Sequence, residues 1–586
     1  MTGPFVLLDD ARPGSAATDA ARLYRDPVEL VVADRLADVR PALDRLRMAV
    51  AAGHHAAGYL TYEAGAALVD GAPARETATL LWFGIFADYA VIPDVAAWLP
   101  DPAGAWAGPA RPTIDQAAHA AQLARVLDLI VAGDIYQANL TLAAEVAVLG
   151  DPLALYARLR RAAGAGYGAV VATGTRHLLS LSPELFFALE DGRLTCRPMK
   201  GTARRGADPA DDRALAAALG ADPKQRAENL MIVDLMRNDL SRVAAPGSVA
   251  TPALFALETY PTIHQLTSTV TATLGPGRDA IDVLSALFPC GSITGAPKRR
   301  AMEVIAAVED RERGAYTGAI GRLGPDGAAQ FNVAIRTLDI AAGAAVGRLG
   351  IGSGIVADSD PADEWAECLA KAAFVTAGQR SFDLIEMMAF DPLAGIALLE
   401  RHLARMKASA DAFGFAFDRH AARNALQAAT FRLRERRRVR LVLARSGAVA
   451  IEIAPPPPAL SAPVSVAVVP LPVAPDDFRL RHKTSDRGFY DRARTAAGTF
   501  EVVFEAPDGR LTEGSFTSLF VERDRQLLTP PAAFDRPGLL PGILRAELLA
   551  TGRAVEAELT RADLAGGCFV GNALRGLIPA LVAPAN

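Results

Sequence analysis

The chain is poor in cysteine and carries no excess of positive charge. Four of its 586 residues are cysteine, at positions 196, 290, 368 and 568, and none belongs to a Cys-x-x-Cys pair. This spacing argues against a zinc knuckle or a disulfide framework, and it suits a reducing cytoplasm. The formal net charge of -5 gives no basic field, so we expect no nucleic-acid partner, whereas a local basic pocket for a small anion is compatible with it.

Long apolar segments are absent from the sequence as well. No run approaches the roughly 18 apolar residues that cross a bilayer, so we expect no membrane association. The amino-terminal run from Pro4 to Leu8 is closed by Asp9 and Asp10, and it is too short and too acidic for a signal peptide. A length of 586 residues with 51% hydrophobic and 22% charged residues is typical of a globular protein with two or more domains.

Helical and strand-like segments follow one another irregularly along the chain. Segment 120–134 predicts a helix, because apolar residues recur at helical spacing and Gly133 marks its end. Short β-rich pieces bounded by Gly or Pro surround it without regular βαβ alternation, which favours an α+β fold. The pattern restarts at "FDLIEMM", which predicts two domains, residues 1–378 and 379–586. The proline-rich segment 454–463 predicts a connector that divides the second domain into two lobes.

One lysine is placed among small and apolar neighbours. The stretch "CRPMKGTARRG" contains Lys200, followed by Arg204 and Arg205. A lysine deprived of water loses proton affinity and can act as a nucleophile or a base. This stretch alone favours an ordinary strand-end lysine that reaches solvent. Only the rest of the chain favours a reactive lysine over this interpretation.

Three glutamates occur on two predicted helices without a nearby His or Cys. Glu228 shares a helical face with the apolar residues that follow it. Glu364 and Glu367 lie one turn apart in a helix that Asp360 caps and Pro361 begins. Either helix alone is compatible with solvated carboxylates. Together the three predict an oxygen-only site, whose natural occupant is Mg²⁺.

A series of segments in the first domain resembles the chorismate-utilising enzymes from end to end. Within that family, lysine in the pattern P-x-K-G-T is typical of 4-amino-4-deoxychorismate synthases, whereas anthranilate synthases carry alanine there. The resemblance implies a large antiparallel β-sandwich with helices. The segments are "SPELFF", "RPMKGTARR", "AENLMIVDLMRNDLSRV", "FPCGSITGAPKRRAMEVI", "RGAYTGAIG", "AIRTL" and "GSGIVADSDPADEWAECLAKA".

This resemblance implies a mechanism and a metal site. Lys200 would attack C2 of chorismate while the C4 hydroxyl leaves with a proton from Glu184, after which ammonia would attack C4 and expel the lysine. Glu228 and Glu367 would bind Mg²⁺ directly, with Glu364 close by and acting through water.

The resemblance also implies contacts to the substrate carboxylates. Arg336, Tyr316 and the backbone of Gly352 and Gly354 would hold them, and Thr294 is a further contact residue. Without the family, the "GIGSG" glycines are a weak signal and Arg336 is equally an ordinary ion-pair residue.

Two positions depart from the family pattern. Gln265 occupies a place where many relatives have histidine, and Gln225 stands where an acidic residue is common. We therefore assign no catalytic role to the neighbouring His264. The tryptophan-binding signature of feedback-regulated relatives is not visible. Four scattered cysteines also provide no glutaminase module, so we expect a separate glutamine amidotransferase subunit to supply ammonia.

The second domain resembles the pyridoxal-phosphate enzymes of the branched-chain aminotransferase type, and its 4-amino-4-deoxychorismate lyase members fit best. The resemblance rests on "FDLIEMM", "FRLRHKTSDRGFYDRAR", "GRLTEGSFTSLFV" and "LLPGILRAELL". It implies a two-lobed fold of type IV and, as a further expectation, a homodimer formed through this domain.

The same resemblance implies the cofactor contacts. Lys483 would bond to the cofactor and move protons, Glu513 would pair with the pyridine nitrogen, and Arg405 would contact the phosphate. Backbone amides at a helix start would hold the same phosphate; they belong to Gly542, Ile543 and Leu544. Without the family, Lys483 belongs to a surface basic run and Glu513 to a turn. Ser518 replaces the asparagine that is usual in relatives.

Both halves together predict a fused enzyme that aminates chorismate at C4 and then removes pyruvate, which yields 4-aminobenzoate for folate synthesis. Two alternatives stay open. The first domain could aminate C2, as anthranilate synthases do, or one domain could be a non-catalytic binding or regulatory module.

Overall fold

The computed structural model describes residues 3–12, 21–75, 78–260, 263–460, 463–532 and 538–583. The chain divides into two compact units. The first unit consists of Met1–Leu99, Pro109–Val148 and Tyr156–Gly378, and the second of Pro100–Gly108, Leu149–Leu155 and Gln379–Asn586. Because two short segments group with the second unit, the simple limits 1–378 and 379–586 stay a prediction.

The β-strands are numbered in chain order. They are β1 Phe5–Asp9, β2 Ala21–Arg25, β3 Glu29–Ala33, β4 His55–Leu60, β5 Leu81–Phe86, β6 Ala90–Ile92, β7 Trp106–Ala107, β8 Arg111–Pro112, β9 Gln137–Leu149, β10 Tyr167–Ala172, β11 Arg176–Ser182, β12 Leu185–Glu190, β13 Arg193–Arg197, β14 Met199–Arg204, β15 Ala250–Thr259, β16 Ile263–Thr273, β17 Gly295–Ala296, β18 Ala319–Leu323, β19 Ala329–Val333, β20 Thr337–Ala341, β21 Val346–Ile355, β22 Leu384–Asp391, β23 Gly395–Ile396, β24 Arg437–Leu443, β25 Val449–Ala454, β26 Val464–Pro470, β27 Glu501–Glu505, β28 Leu511–Gly514, β29 Ser518–Arg523, β30 Gln526–Thr529, β31 Ala554–Glu556, β32 Cys568–Asn572 and β33 Gly576–Val582.

The α-helices are numbered in the same way. They are α1 Leu36–Ala51, α2 Val95–Trp98, α3 Gln116–Val131, α4 Pro152–Ala163, α5 Pro209–Ala221, α6 Pro223–Ser241, α7 Ala280–Leu287, α8 Lys298–Val308, α9 Pro361–Ala372, α10 Leu399–Phe413, α11 Arg419–Thr430, α12 Gly488–Ala497 and α13 Ile543–Ala550.

Two antiparallel sheets form the first unit. One runs in the order β17-β9-β21-β20-β11-β10-β1-β2-β6, and the other in the order β14-β16-β13-β12-β19-β18-β4-β5-β3. Side chains of both sheets pack in one shared core, which includes Val6, Tyr24 and Val171 from the first sheet and Tyr59 and Trp82 from the second. This packing of two sheets face to face confirms the predicted α+β fold with a β-sandwich.

The predicted helices of the first unit are present. Helix α3, Gln116–Val131, begins before the predicted segment 120–134 and ends three residues before its end, and Gly133 lies beyond it with a φ of 79°. Helix α9 begins at Pro361, and the Asp360 carboxylate accepts bonds from the first two free N–H groups after the proline. Helix α6 carries Glu228, and its apolar face packs into the main core of the first unit.

The second unit contains two sheets. A four-stranded sheet has the order β23-β22-β24-β25, and a larger sheet has the order β28-β27-β26-β33-β32-β29-β30-β31. Strand β25 ends and β26 begins on either side of the proline-rich segment 454–463, of which residues 461 and 462 lie outside the described residues. In the described part of the chain, no helix is long and apolar enough to cross a membrane.

A buried ion pair lies just after α8, next to the backbone of Ile293 and Asn139, which line the candidate site. Glu309 and Arg313 are almost fully buried, and the Arg313 Nη2 atom lies 2.7 Å from the Glu309 carboxylate. Arg313 also donates to the carbonyl oxygens of Ile293 and Asn139. Burial alone would raise the pKa of Glu309, but Arg313 and Arg311 hold it below its usual value. The pair therefore fixes the backbone on two sides of the site.

We expect the Glu309→Ala substitution to destabilise the first unit by about 3–5 kcal/mol, because it leaves a buried guanidinium without a counter-ion. Urea unfolding followed by tryptophan fluorescence measures the change. The control is Asp38→Ala, which breaks an exposed pair with Arg35 at 2.9 Å and should leave the midpoint nearly unchanged. Equal midpoints for the two variants would contradict the role of Glu309.

Candidate functional site

A cavity of about 260 Å³ in the first unit brings most of the predicted residues together. Its wall includes the end of β11, the bulged part of β14, the amino-terminal half of α6, strand β21 and helix α9. The predicted residues on this wall are Glu184, Lys200, Glu228, Tyr316, Arg336, Gly352, Gly354, Glu364 and Glu367.

Lys200 enters the cavity because its strand is interrupted. Strand β14 shifts register against β16 between Met199 and Thr202, and Gly201 has a φ of 93°, a conformation that favours glycine. The Lys200 Nζ atom lies 3.7 Å from a carboxylate oxygen of Glu228. A Cβ atom on Gly354 would lie 2.3 Å from the same Nζ atom. A side chain at position 354 would therefore displace the lysine.

Buried amides hold the backbone beneath Lys200. Asn229 donates to the Lys200 carbonyl oxygen at 3.3 Å, and the Ser268 hydroxyl donates to the Asn229 side chain at 2.6 Å. Gln265 donates to the Gly201 carbonyl oxygen at 2.8 Å. The departure from the family at position 265 thus has a structural use, because this amide ties the bulge to β16.

Glu184 is a buried carboxyl group on the cavity wall. One carboxyl oxygen, Oε1, is buried without a hydrogen-bond partner among the described residues. Burial raises the pKa of Glu184 to about 7, and the hydroxyl of Ser292 and the charges of Lys200 and Lys371 oppose this rise. At neutral pH a substantial fraction of the group is a protonated acid.

The three glutamates line the cavity but do not converge on one point. Burial raises the pKa of Glu228, whereas Lys371, 2.6 Å from Glu367, contributes to a lowered pKa of Glu367 despite burial. Glu364 accepts a bond from Ser359, and its other oxygen is buried without a partner among the described residues. No group of three or more His, Cys, Asp or Glu in the described ranges is arranged to hold a metal ion.

Tyr316, one of the expected substrate contacts, depends on a neighbouring glycine. A Cβ atom on Gly350 would lie 2.1 Å from the Tyr316 ring, so only glycine admits the ring at this place. Burial raises the pKa of the Tyr316 hydroxyl and lowers that of Arg336, so the tyrosine stays a neutral donor. The Gly352 carbonyl oxygen accepts a bond from Lys371 at 2.8 Å.

Two residues discussed from the sequence are not on the cavity wall. Thr294 is fully buried, and its hydroxyl donates to the carbonyl oxygens of Cys290 and Gly291. His264 is also buried, and its Nε2 atom lies 2.9 Å from Asp212. Cavity residues that the sequence reasoning missed are Asn139, Lys224 and Ser292. Only Ser292, within the quoted "GSITGAPK", had a signal that could have identified it.

The second unit brings Lys483 and Glu513 into electrostatic contact. Burial and the charges of Arg487 and Arg405 lower the pKa of Lys483 to about 7, while Glu386 and Glu513 act in the opposite direction. The Lys483 carbonyl oxygen accepts a bond from the backbone of Ile385 at 2.9 Å, which fixes the lysine beside β22.

Glu513 is held by two donors at the end of β28. The Tyr490 hydroxyl donates to one oxygen at 2.5 Å, and the Leu540 N–H donates to the other at 3.0 Å. Burial raises the pKa of Glu513 to about 7, and these donors and the charge of Arg487 oppose the rise. Tyr490 lies within the segment "FRLRHKTSDRGFYDRAR", but nothing in the sequence indicated its contact with Glu513.

Arg405 is already engaged with a carboxylate. Its guanidinium donates to both oxygens of Glu386 at 2.7 and 2.8 Å, and it also donates to the Pro541 carbonyl oxygen. Burial alone would raise the pKa of Glu386, but the charges and hydrogen bonds of Arg405 and His402 outweigh burial and lower this pKa to about 2. A lone glutamate in the apolar strand "LIEMMAF" was the available signal for such a buried pair.

Gly542 precedes α13 directly, and no side chain caps this helix. The first N–H groups of the helix, which include Ile543 and Leu544, therefore face outward from its amino terminus. A Cβ atom on Gly542 would lie 2.3 Å from the Ser518 hydroxyl oxygen, so Ser518 occupies the space that glycine leaves. Arg405 donates to the carbonyl oxygen of Pro541, which precedes Gly542.

Two family models match the chain. The model described as chorismate binding enzyme matches residues 4–377, and the model described as amino-transferase class IV matches residues 383–582. Both resemblances noted in the sequence are thereby confirmed.

Individual relatives cover shorter parts. The chain is 47% identical over 241 residues to aminodeoxychorismate synthase component 1 of Salmonella typhimurium, which is 41% of this chain and 52% of that protein. It is 43% identical over 262 residues to anthranilate synthase component 1 of Streptomyces coelicolor, which is 44% of this chain and 51% of that protein. The chain thus spans about half the length of these two curated relatives.

One solved structure shows the fold. The crystal structure of anthranilate synthase component I from Streptococcus pneumoniae aligns with a TM-score of 0.52 at 24% identity, over 64% of this chain and 93% of that one. Because the first family model covers more than half of the sequence, the chain belongs to the chorismate binding enzymes.

Proposed function

We propose that the first unit converts chorismate to 4-amino-4-deoxychorismate and that the second unit removes pyruvate from this product, which leaves 4-aminobenzoate for folate synthesis. The observation that carries the first half is Lys200 on the same cavity wall as Glu184 and three further glutamates. Relatives of both the 4-amino and the anthranilate type match the chain, so the lysine, and not overall similarity, favours amination at C4.

The residues of the first cavity account for a two-step substitution. The amine of Lys200 forms a bond to C2 of chorismate, the two conjugated ring double bonds shift, and the C4 hydroxyl leaves as water with the proton of Glu184. Ammonia then bonds to C4, the two double bonds shift back, and the C2–N bond to Lys200 breaks. Burial keeps Glu184 protonated near neutral pH, so it can donate at this step.

The glutamates fit a magnesium ion in their chemistry. Glu228, Glu364 and Glu367 offer only oxygen donors, and one oxygen of Glu364 is buried without a protein partner among the described residues. Carboxylates that share a cavity repel one another, which contributes to the raised pKa of Glu228. When bound, the ion would supply positive charge for a substrate carboxylate. We assign Glu228 and Glu367 as direct ligands.

Ammonia would come from a separate subunit. The Salmonella relative is named as component 1, which denotes an enzyme with a further component. We propose that a glutamine amidotransferase serves this chain in the same way.

The residues of the second site fit pyridoxal phosphate. Lys483 would hold the cofactor covalently, and Glu513 would face its ring nitrogen. The start of α13 would hold the cofactor phosphate through the backbone of Gly542, Ile543 and Leu544. Arg405, which donates to Pro541, would lie next to this phosphate. When bound, the cofactor supplies an electron sink. A lysine with a pKa of about 7 can take the proton from C4 of the substrate at neutral pH, and aromatisation of the ring favours the release of pyruvate.

Replacement of the nucleophile should change the product of the first unit. In Lys200→Ala we expect a loss of at least about 100-fold in 4-amino product and the appearance of some 2-amino-2-deoxyisochorismate, because C2 is then open to ammonia. Lys200→Arg should form neither, because a guanidinium stays protonated. Chromatography with chorismate, Mg²⁺ and an ammonium salt measures both products.

Lys224→Ala, a second lysine of the same wall, is the control and should keep the 4-amino product. A parental rate in Lys200→Ala would refute the assignment.

Loss of one carboxylate should weaken the metal site. Glu228→Gln and Glu367→Gln keep the side-chain shape but remove a negative charge, so the Mg²⁺ concentration needed for half-maximal chorismate turnover should rise at least about tenfold. Pyruvate release by the second unit of the same protein is the internal control and should stay unchanged. Unaltered Mg²⁺ dependence in both variants would exclude the oxygen site.

The two activities should separate in one variant. In Lys483→Ala the first step should continue while 4-amino-4-deoxychorismate accumulates, because the second site has lost its base. Borohydride reduction of the parent should fix the cofactor to the peptide that contains Lys483, which mass spectrometry detects. The control is Lys407→Ala, an exposed lysine paired with Asp411. Continued pyruvate release by Lys483→Ala would disprove the second assignment.

A further inference from the structure

Arg487 lies four residues after Lys483, and neither family resemblance implies a role for it. It immediately precedes α12, and its side chain is half-buried. Its surroundings, its lack of an acidic partner and its charge together indicate a ligand for this guanidinium.

The Arg487 side chain contacts Ser515 and Tyr490, and Tyr490 is one of the two residues that hold Glu513. Its Nη2 atom donates to the Ser515 carbonyl oxygen at 2.7 Å, and its guanidinium carbon lies 4.6 Å from the centre of the Tyr490 ring. Tyr490 in turn donates its hydroxyl to Glu513. The arginine is therefore positioned by the same tyrosine and the same turn as the carboxylate of the second site.

The turn that carries Ser515 is itself rigid. Glu501 is fully buried and accepts bonds from the Ser515 N–H and hydroxyl, the Phe516 N–H and the Thr517 hydroxyl, all between 2.6 and 3.1 Å. A carboxylate that accepts this many bonds holds the turn in one conformation. The anchor of Arg487 is thus preorganised.

Arg487 has no acidic partner in the described part of the chain; its polar contact there is the Ser515 carbonyl oxygen, beside the Tyr490 ring. Neighbouring arginines differ in this respect. Arg405 binds both oxygens of Glu386, and Arg494 lies 3.1 Å from Asp491. A guanidinium has five N–H groups in a planar fork that matches a carboxylate. The fork of Arg487 is available to an anion that comes from outside the chain.

The charge of Arg487 acts on both titratable groups of the site. After burial, it is the next cause that lowers the pKa of Lys483, and it also opposes the rise in the pKa of Glu513. Any anion that binds Arg487 would therefore lie close to the reacting lysine, and it would weaken the effect of this arginine on Lys483.

We infer that Arg487 binds a carboxylate of the substrate of the second site and so orients the substrate amine toward Lys483. The inference rests on the proposed function, in which the substrate carries two carboxylates. One stays on the ring of 4-aminobenzoate and the other leaves with pyruvate. Pairing with the substrate would also remove the repulsion that keeps Lys483 weakly basic, so the base would strengthen only when substrate is bound.

The test compares the parent holoenzyme with Arg487→Gln and Arg487→Lys. Pyruvate release from 4-amino-4-deoxychorismate gives KM and kcat, and calorimetry gives the affinity for 4-aminobenzoate and for pyruvate as separate probes. In Arg487→Gln we expect KM to rise about 10- to 100-fold with a smaller effect on kcat, because a charge-assisted bond to the substrate is lost. Affinity for one of the two probes should fall by a similar factor, and that probe identifies the carboxylate.

Arg487→Lys should recover part of the affinity, since it keeps the charge but loses the planar fork. Arg494→Gln is the matched control on α12 and should behave as the parent. Cofactor content fixed by borohydride shows whether each variant is folded, and if Arg487→Gln is not, Arg487→Lys carries the test.

The inference is overturned if the variant that folds has a KM and both probe affinities within twofold of the parent, or if the parent binds neither probe. The proposed function fails by a different result, namely a parent that fixes no cofactor at Lys483 and releases no pyruvate.

Discussion

Both candidate sites depend on the burial of ionisable side chains that no partner fully neutralises. Burial raises the pKa of Glu184 and of Glu513 to about 7, and it lowers the pKa of Lys483 to about 7. Acids and bases thus converge on neutral pH from opposite sides, because loss of water always disfavours the charged form. Proton transfer between such groups and a substrate needs the least free energy there.

Other buried carboxylates are paired with an arginine. Arg313 donates to both carboxylate oxygens of Glu309 and to two backbone carbonyl oxygens, and Arg405 donates to both oxygens of Glu386. These pairs hold strands and helices in place and leave no free charge. In the described residues, Glu184 and Glu364 each keep one buried oxygen without a hydrogen-bond partner, as does Asp339 away from the cavity. A buried polar atom without a hydrogen bond is destabilising, and a rigid surrounding structure can keep it in place.

Glycines shape the first cavity as much as its charged residues do. Gly350 and Gly354 belong to β21, and a methyl group at these positions would occupy the place of the Tyr316 ring and of the Lys200 Nζ atom, respectively. In the sequence these glycines gave only a weak signal, because "GIGSG" is compatible with an ordinary bulge. The reason for glycine at these positions is contact with side chains from distant parts of the sequence.

The sequence by itself determined the residue types, the local helices and the family. Asp360 and Pro361 specify the start of α9, and position 200 supplies an amine side chain, because capping and side-chain chemistry depend on residue type and on near neighbours. Only the tertiary structure decided which side chains meet. It turned Thr294 away from the cavity, bound Arg405 to Glu386 and left Arg487 without an acid among the described residues. These outcomes depend on contacts between residues that are remote in sequence, and local propensity carries no information about such distances.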